Sequence, residues 1–135
     1  MAGLRLGYGI CGNTGFLDQM EQHLQPWNVS IPAQEAGIAA LKEADYVEKA
    51  RNLIQKEREF LIQGLREAGY YVYDSQANYI FFQAGTGLHR KLMEQNVMIR
   101  DCSNYPGLRE GFYRIAVRTH EENEKLLDAI RKVGK

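Results

Sequence analysis

Two arginines, Arg100 and Arg114, are the residues whose type and spacing most directly suggest chemistry. They lie fourteen positions apart, at the end of one apolar run and in the middle of another. The segment between them is rich in turn formers: Ser103, Asn104, Pro106 and Gly107. If the two runs are strands that pair, the fold brings both guanidinium groups to one place. Such a pair suits an anionic ligand, because each planar guanidinium group can hydrogen-bond both oxygens of a carboxylate or phosphate. The spacing alone leaves open a second interpretation, in which both arginines are solvated on an edge strand.

The composition is that of an ordinary globular chain without a charge bias. Its 135 residues suffice for one domain or for one piece of a larger one. Seventeen basic residues balance 17 acidic residues and no basic run is present, so neither nucleic acid nor a membrane is an expected partner. The sequence also predicts no spanning helix and no secretory leader. The two cysteines and three histidines show no metal-ligand spacing, which predicts the absence of a metal site and a reducing, cytoplasmic setting.

Hydrophobic periodicity predicts two parts along the chain. Residues 1–26 are predicted to be a strand, a glycine-rich loop and a short helix, and residues 27–135 are predicted to form a small domain. The elements predicted within the small domain are helices 31–41 and 45–68, strands 70–73 and 79–82, helix 86–95, strands 97–100 and 112–117, and a last helix after Thr119. This order favours an α/β (α+β) small domain, in which a mainly antiparallel sheet of three to four strands carries helices on one face.

The last predicted strand divides its side chains between two faces, because successive residues of a strand point to opposite sides. Tyr113, Ile115 and Val117 are assigned to the face that the helices cover. The opposite face then carries Phe112, Arg114, Ala116 and Arg118. Two arginines beside a small alanine on an uncovered face indicate a docking surface for a ligand or for another domain.

A glycine motif near the start of the chain imitates a dinucleotide-binding motif. Gly7, Gly9 and Gly12 satisfy the G-x-G-x-x-G pattern of dinucleotide-binding folds. That pattern needs a hydrophobic strand before it and an acidic residue at a strand end about 20 positions later. Here the position about 20 residues on falls at Glu35, inside a predicted helix, so a dinucleotide site is not expected.

Four strings carry a resemblance to a known family: Gly3-Leu4-Arg5-Leu6-Gly7-Tyr8, Pro26-Trp27-Asn28-Val29-Ser30, Ala77-Asn78-Tyr79 and the segment 100–118. Together they resemble pyridoxal-phosphate enzymes of aminotransferase fold type I, and the resemblance covers essentially the whole chain. Within segment 100–118, the order Cys102, Asn104-Tyr105-Pro106-Gly107-Leu108, Tyr113-Arg114 is most similar to threonine-phosphate decarboxylases of the cobalamin pathway. Histidinol-phosphate aminotransferases come next. The implied fold is the C-terminal domain of the class I/II aminotransferases, with residues 1–26 as the tail end of the large cofactor-binding domain and residues 27–135 as the C-terminal small domain.

The resemblance implies roles for individual residues. Arg5 matches the arginine that binds the cofactor phosphate, Arg114 matches the one that binds the acidic group of the substrate, and Arg100 matches a second anion-binding arginine of members with phosphorylated substrates. Asn104 and Tyr105 are candidate substrate-binding residues beside Arg100, although each also fits as a plain turn residue. Which arginine takes which anion stays open.

The resemblance also implies which parts of the enzyme this chain does not carry. The lysine that forms the imine with pyridoxal 5'-phosphate comes shortly before the arginine matched by Arg5, so its position falls upstream of Met1. No catalytic residue is therefore expected within the chain. The whole enzyme is expected to include a large cofactor-binding domain and to be a homodimer. The isolated chain is expected to be inactive and not to bind the cofactor.

Three functions remain as hypotheses from the sequence. The first is that the chain is a fragment of a threonine-phosphate decarboxylase, a lyase of cobalamin biosynthesis whose substrate is a phosphorylated amino acid. The second is a fragment of a histidinol-phosphate aminotransferase or a related class I/II aminotransferase. The third is a non-catalytic α/β module that binds a small anion or a partner on the uncovered face of its sheet.

Overall fold

The computed structural model describes residues 2–134, and these residues divide into two compact units. One unit extends to Val47 and the other begins at Glu48. The sequence predicted a division of a different kind, after Pro26, between the tail end of a large domain and a small domain. The assignment of the two parts to the large and the small domain of a longer enzyme stays a prediction.

The first unit is built from short helices. In chain order it contains a single 3₁₀ turn Ala2–Leu4, α1 (Thr14–Glu21) and α2 (Ile31–Ala40). Each α-helix starts at a side chain that satisfies one of its free amide groups: Asn13 Oδ1 accepts from the amide of Phe16 at 3.1 Å, and Ser30 Oγ accepts from the amide of Ala33 at 3.4 Å. Both helices agree with the sequence-based expectation to within three residues at their C-terminal ends.

The strand predicted near the start of the chain does not form, so that prediction was wrong. Residues 5–13 belong to no helix or strand, and Tyr8 and Ile10 are each 90% exposed. Alternation of large apolar residues with glycine imitates a strand, but a strand is stable only beside a partner that bonds to its backbone. The four strands that do form within residues 2–134 pair with one another, and residues 5–13 contribute to none of them.

The remaining elements contain a four-stranded sheet. They are α3 (Ala44–Glu67), β1 (Tyr71–Val72), β2 (Tyr79–Gln83), α4 (Leu88–Met93), β3 (Arg100–Asp101), β4 (Phe112–Ala116) and α5 (His120–Val133). The strand order is β1-β2-β4-β3, and every neighbouring pair is antiparallel. The predicted element order and the predicted three- to four-stranded antiparallel sheet are confirmed.

Helix ends explain where two boundaries lie. Gly69, with φ +84°, ends α3 because its left-handed backbone lets the amide of Tyr70 donate to the carbonyl of Leu65. Asn96, with φ +59°, ends α4 in the same way, and the amide of Val97 donates to the carbonyl of Leu92. Because that amide closes the helix, Val97 is not part of a strand. The strand predicted over residues 97–100 therefore begins only at Arg100.

One face of the sheet forms the core with the helices. The buried strand residues are Val72, Ile80, Phe82, Tyr113 and Ile115, and they cluster with Leu61 and Leu65 of α3, Leu88 and Leu92 of α4, and Leu126, Leu127, Ala129 and Ile130 of α5. The alternating strand residues on the other face remain half-buried or exposed, including Phe112, Arg114 and Ala116. The expectation of helices on one face and an uncovered second face is confirmed.

A buried carboxylate connects α3 to the start of α5. The side chain of Glu57 is 1% exposed, and both of its oxygens lie 3.1 Å from Nδ1 of His120. Asn123 donates from Nδ2 to Glu57 at 3.0 Å and to the carbonyl of Arg118 at 2.9 Å, while its Oδ1 accepts from the amide of Arg118 at 3.2 Å. An ionised carboxylate only accepts hydrogen bonds, so Nδ1 of His120 carries the shared proton. The network thereby holds the chain that leaves β4.

This environment stabilises the ionised form of Glu57. Burial by itself raises the pKa of the carboxyl, but hydrogen bonds from Asn123 and His120, with the charges of His120 and Lys56, hold the pKa below its usual value of 4.5. A carboxyl whose pKa is lowered on folding contributes stability above its unfolded pKa and loses that contribution as the pH falls through its folded pKa.

Replacing Asn123 or Glu57 is therefore expected to destabilise the fold in a pH-dependent way. Asn123→Ala removes the buried donor to Glu57 and should lower the free energy of unfolding by about 2–4 kcal/mol at neutral pH. The isosteric Glu57→Gln variant should differ from the natural chain most at neutral pH and progressively less below pH 4.5. Urea unfolding at a series of pH values measures both effects. A difference for Glu57→Gln that does not change with pH would contradict the assignment of an ionised Glu57.

Candidate functional site

The site is organised by the pairing of β3 with β4. Arg100 and Arg114 are directly opposite each other in this antiparallel pair. Residues opposite each other in such a pair have Cα atoms about 4.5–5.5 Å apart. Both side chains are exposed, on the sheet face away from the core. We refer to Arg100 and Arg114 below as the arginine pair.

The turn between the two strands has the geometry that its residues favour. The amide of Cys102 donates to the carbonyl of Phe112 at 2.9 Å, which continues the ladder beyond β3. The amide of Leu108 donates to the carbonyl of Tyr105 at 3.0 Å, and Gly107 between them has φ +83°. Proline followed by a residue with positive φ is the pattern of a type II turn. The turn thus returns the chain so that the arginine pair comes into register.

Each arginine of the pair contacts a tyrosine ring. Nη2 of Arg100 donates to Oδ1 of Asn104 at 3.2 Å, and its guanidinium carbon lies 5.5 Å from the ring centre of Tyr105. The guanidinium carbon of Arg114 lies 5.0 Å from the ring centre of Tyr79 on β2. Within residues 2–134, neither arginine forms an ion pair with a carboxylate. The two positive charges are therefore adjacent and without an ion-pair partner in the described part of the chain.

The other cations near the arginine pair are neutralised locally. The arginine pair lines an open cleft of about 940 Å³, together with Arg118, Glu122 and Lys125. Arg118 forms an ion pair with Glu122 at 2.7 Å, and Lys125 forms one with Glu121 at 2.7 Å. Hydrogen bonds from Arg118 and Thr119 lower the pKa of Glu122 to about 2, so this carboxylate stays ionised. The arginine pair is thus without an ion-pair partner among the described residues, and the carboxylate of Asp101, next to Arg100, also lines the cleft.

The cysteine beside the arginine pair is not placed for covalent chemistry. Cys102, the sulfur nearest in sequence to the arginine pair, is 2% exposed, and burial raises the pKa of its thiol. A buried, protonated thiol is a poor nucleophile. No group of three or more potential metal ligands occurs within the part of the chain that the structure describes, and no described helix is long and apolar enough to cross a membrane.

The structure brings together four of the five residues that the sequence suggested for the site. Arg100, Asn104 and Tyr105 contact one another, and Arg114 lies opposite Arg100. Arg5 belongs to the first unit, where it is exposed and has a left-handed backbone with φ +55°. Such a backbone is uncommon for a residue other than glycine. Whether these residues bind a substrate or a cofactor stays a prediction.

Sequence reasoning missed Tyr79 as a neighbour of Arg114. The signal was present in part, because strand alternation puts Tyr79 and Phe81 on the same face as the arginine pair. The missing information was the register of β2 against β4, in which Phe81 is opposite Arg114 and Tyr79 is opposite Ala116. Tyr79 is therefore a diagonal neighbour of Arg114, which is within reach of an aromatic ring.

Comparisons with known proteins agree with the fold. A family model described as aminotransferase class I and II matches residues 1–130. The threonine-phosphate decarboxylase of Salmonella typhimurium is 34% identical over 97% of this chain and 37% of its own length. Histidinol-phosphate aminotransferase 2 of Archaeoglobus fulgidus is 38% identical over 98% of this chain and 39% of its own length. The crystal structure of the histidinol-phosphate aminotransferase from Clostridium acetobutylicum has a TM-score of 0.91 at 32% identity, over 99% of this chain and 42% of that one.

These matches confirm the resemblance that the four sequence strings suggested. The chain spans less than half of the length of each of these relatives. The family match nevertheless extends over almost all of the residues present, and the structural likeness includes both units. The chain belongs to the class I and II aminotransferase family.

Proposed function

We propose that the chain forms part of a pyridoxal-phosphate enzyme that acts on a phosphorylated amino acid, and that this enzyme is a threonine-phosphate decarboxylase. The observation that carries the proposal is the arginine pair, which presents two adjacent guanidinium groups without a recorded ion pair on one open face. A threonine-phosphate carries a carboxylate and a phosphate, and both anions suit arginine. The similarity to the Salmonella typhimurium decarboxylase supports this choice and, with it, a place in cobalamin biosynthesis.

The residues present fit the phosphate end of the cofactor better than its imine end. Arg5 would hold the phosphate through charge-assisted hydrogen bonds. The lysines within residues 2–134 are all exposed: Lys42, Lys49, Lys56, Lys91, Lys125 and Lys132. An imine-forming lysine needs an unprotonated amine, which burial or a neighbouring cation provides. Glu121 instead raises the pKa of Lys125, so this amine stays protonated.

We therefore assign the imine lysine to a part of the enzyme outside the described residues. The cofactor supplies the electron sink for the reaction. The role of this chain is to bind and orient the substrate: the arginine pair holds its anionic groups, and the tyrosines beside them limit where the guanidinium groups can lie. Proper orientation of a reacting group contributes a large share of the rate enhancement in many enzymes.

A histidinol-phosphate aminotransferase is the second candidate. The observations that favour it are the 38% identity to the Archaeoglobus fulgidus protein and the TM-score of 0.91 to the Clostridium acetobutylicum structure. Histidinol phosphate carries a phosphate without a carboxylate, so with this substrate the second arginine would lack the carboxylate that O-phospho-L-threonine offers. Under either candidate, the free cysteines favour a cytoplasmic setting. The exposed side chains of Tyr8, Ile10 and Trp27 favour association with another chain, and we propose a homodimer.

The first prediction concerns anion binding by the chain. Arg100→Gln or Arg114→Gln should weaken the binding of O-phospho-L-threonine at least about tenfold, because each lost charge-assisted hydrogen bond contributes about 1.5–3 kcal/mol. Titration calorimetry measures the affinity. The matched control is Arg90→Gln, which removes an exposed arginine of α4 and should leave the affinity unchanged. Equal losses in all three variants would show that overall charge, rather than the arginine pair, determines binding.

The second prediction separates the two enzymes. The longer protein that contains this chain should release carbon dioxide from O-phospho-L-threonine and should not exchange the amino group of histidinol phosphate with a keto acid. The Arg100→Gln and Arg114→Gln variants of that protein should lose most of the activity. Keto-acid exchange without carbon dioxide release would instead identify the aminotransferase.

A further inference from the structure

The guanidinium group of Arg114 lies over the ring of Tyr79. Tyr79 is the first residue of β2, its ring centre lies 5.0 Å from the guanidinium carbon of Arg114, and it is 42% exposed. Among residues 2–134, Arg114 has no side-chain hydrogen bond and no ion pair. Its neighbour Arg100 differs in this respect, because Arg100 also donates a hydrogen bond to Asn104. The ring of Tyr79 is therefore the candidate for holding the Arg114 group in position.

The sheet leaves room for this contact and fixes the residue that makes it. Tyr79 is opposite Ala116, whose small side chain leaves space for the ring to lean along β4 toward Arg114. Oγ of Ser75 donates to the carbonyl of Tyr79 at 2.6 Å and accepts from the amide of Ala77 at 3.2 Å. Nη1 of Arg58 donates to the carbonyl of Ala77 at 3.3 Å, which connects this turn to α3. The backbone at Tyr79 is thus held by the hydroxyl group of Ser75 and by its pairing with β4.

Stacking suits an arginine that must bind a ligand. A cation over an aromatic face is attracted to the ring through the flat side of the guanidinium group. The five N–H donors lie in the plane of that group and point to its edges. The contact with Tyr79 therefore restricts the position of Arg114 without using its donors, whereas a carboxylate partner would occupy them.

We propose that Tyr79 is a positioning residue for Arg114: it holds the guanidinium plane by its face and leaves the edge donors free for an anion. The inference rests on the proposed anion-binding role of the arginine pair and adds a residue that sets its geometry. The hydroxyl group is not needed for this role, because the ring provides the contact. The side chain acts through Arg114 and is not itself assigned a place in the reaction.

The test compares three variants of the full chain with inorganic phosphate as the probe. Tyr79→Leu removes the ring and should weaken phosphate binding about threefold, in line with an exposed cation–aromatic contact. Tyr79→Phe keeps the ring and should bind as the natural chain does. Tyr71→Leu is the matched control, since Tyr71 is an exposed tyrosine of the same sheet face that contacts Tyr73 and not the arginine pair.

Nuclear magnetic resonance tests the contact itself, and a double variant tests whether Tyr79 acts through Arg114. The ring current of Tyr79 should shift the Hδ protons of Arg114 upfield in the natural chain and in Tyr79→Phe, and the shift should disappear in Tyr79→Leu. In the double variant Tyr79→Leu/Arg114→Gln, removal of the ring should weaken phosphate binding no further than Arg114→Gln alone, because Tyr79 acts through Arg114.

The outcomes separate this inference from the function on which it rests. If Arg114→Gln loses phosphate binding while Tyr79→Leu binds as the natural chain does, Tyr79 is not a positioning residue and the anion site stands. If the natural chain binds no phosphate, or Arg114→Gln binds it equally well, the anion site itself is wrong and the role of Tyr79 is overturned with it.

Discussion

Two like charges on directly opposite residues of an antiparallel pair repel each other, and such pairs destabilise a sheet by a few tenths of a kcal/mol or more. The arginine pair keeps this arrangement on an open face, without a carboxylate partner in the described part of the chain. The neighbouring cations Arg118 and Lys125 show that the chain does supply partners elsewhere. An anionic ligand between the two guanidinium groups would attract both and so offset their repulsion.

The opposite face of the sheet provides the stability that such an arrangement requires. Leu61, Ile80, Phe82 and Ile130 are fully or almost fully buried, and each buried side chain of this kind contributes about 1.5–3 kcal/mol. The Glu57 network adds polar bonds that hold the start of α5 where the chain leaves β4. The core and the Glu57 network together outweigh the repulsion on the open face, so the two arginines stay opposite each other at a modest cost in stability.

Local patterns predicted much of this structure. Alternation along residues 112–117 predicted that Arg114 faces away from the core, and the capping box of Thr119 and Glu122 predicted the start of α5. Features that depend on distant residues were not predicted: residues 5–13 form no strand despite their alternation, and the bonds of Glu57 to His120 and Asn123 join positions more than 60 residues apart. The contact of Tyr79 with Arg114 depends on strand register, which alternation does not determine.

We propose above that the arginine pair is a site for an anion. The most direct measurement is the free energy of unfolding in urea at constant ionic strength, with phosphate replacing chloride. A ligand that binds only the folded state stabilises it. We expect phosphate to raise the free energy of unfolding of the natural chain and to have no such effect on the Arg100→Gln/Arg114→Gln double variant. Equal stabilisation of both proteins by phosphate would contradict the account.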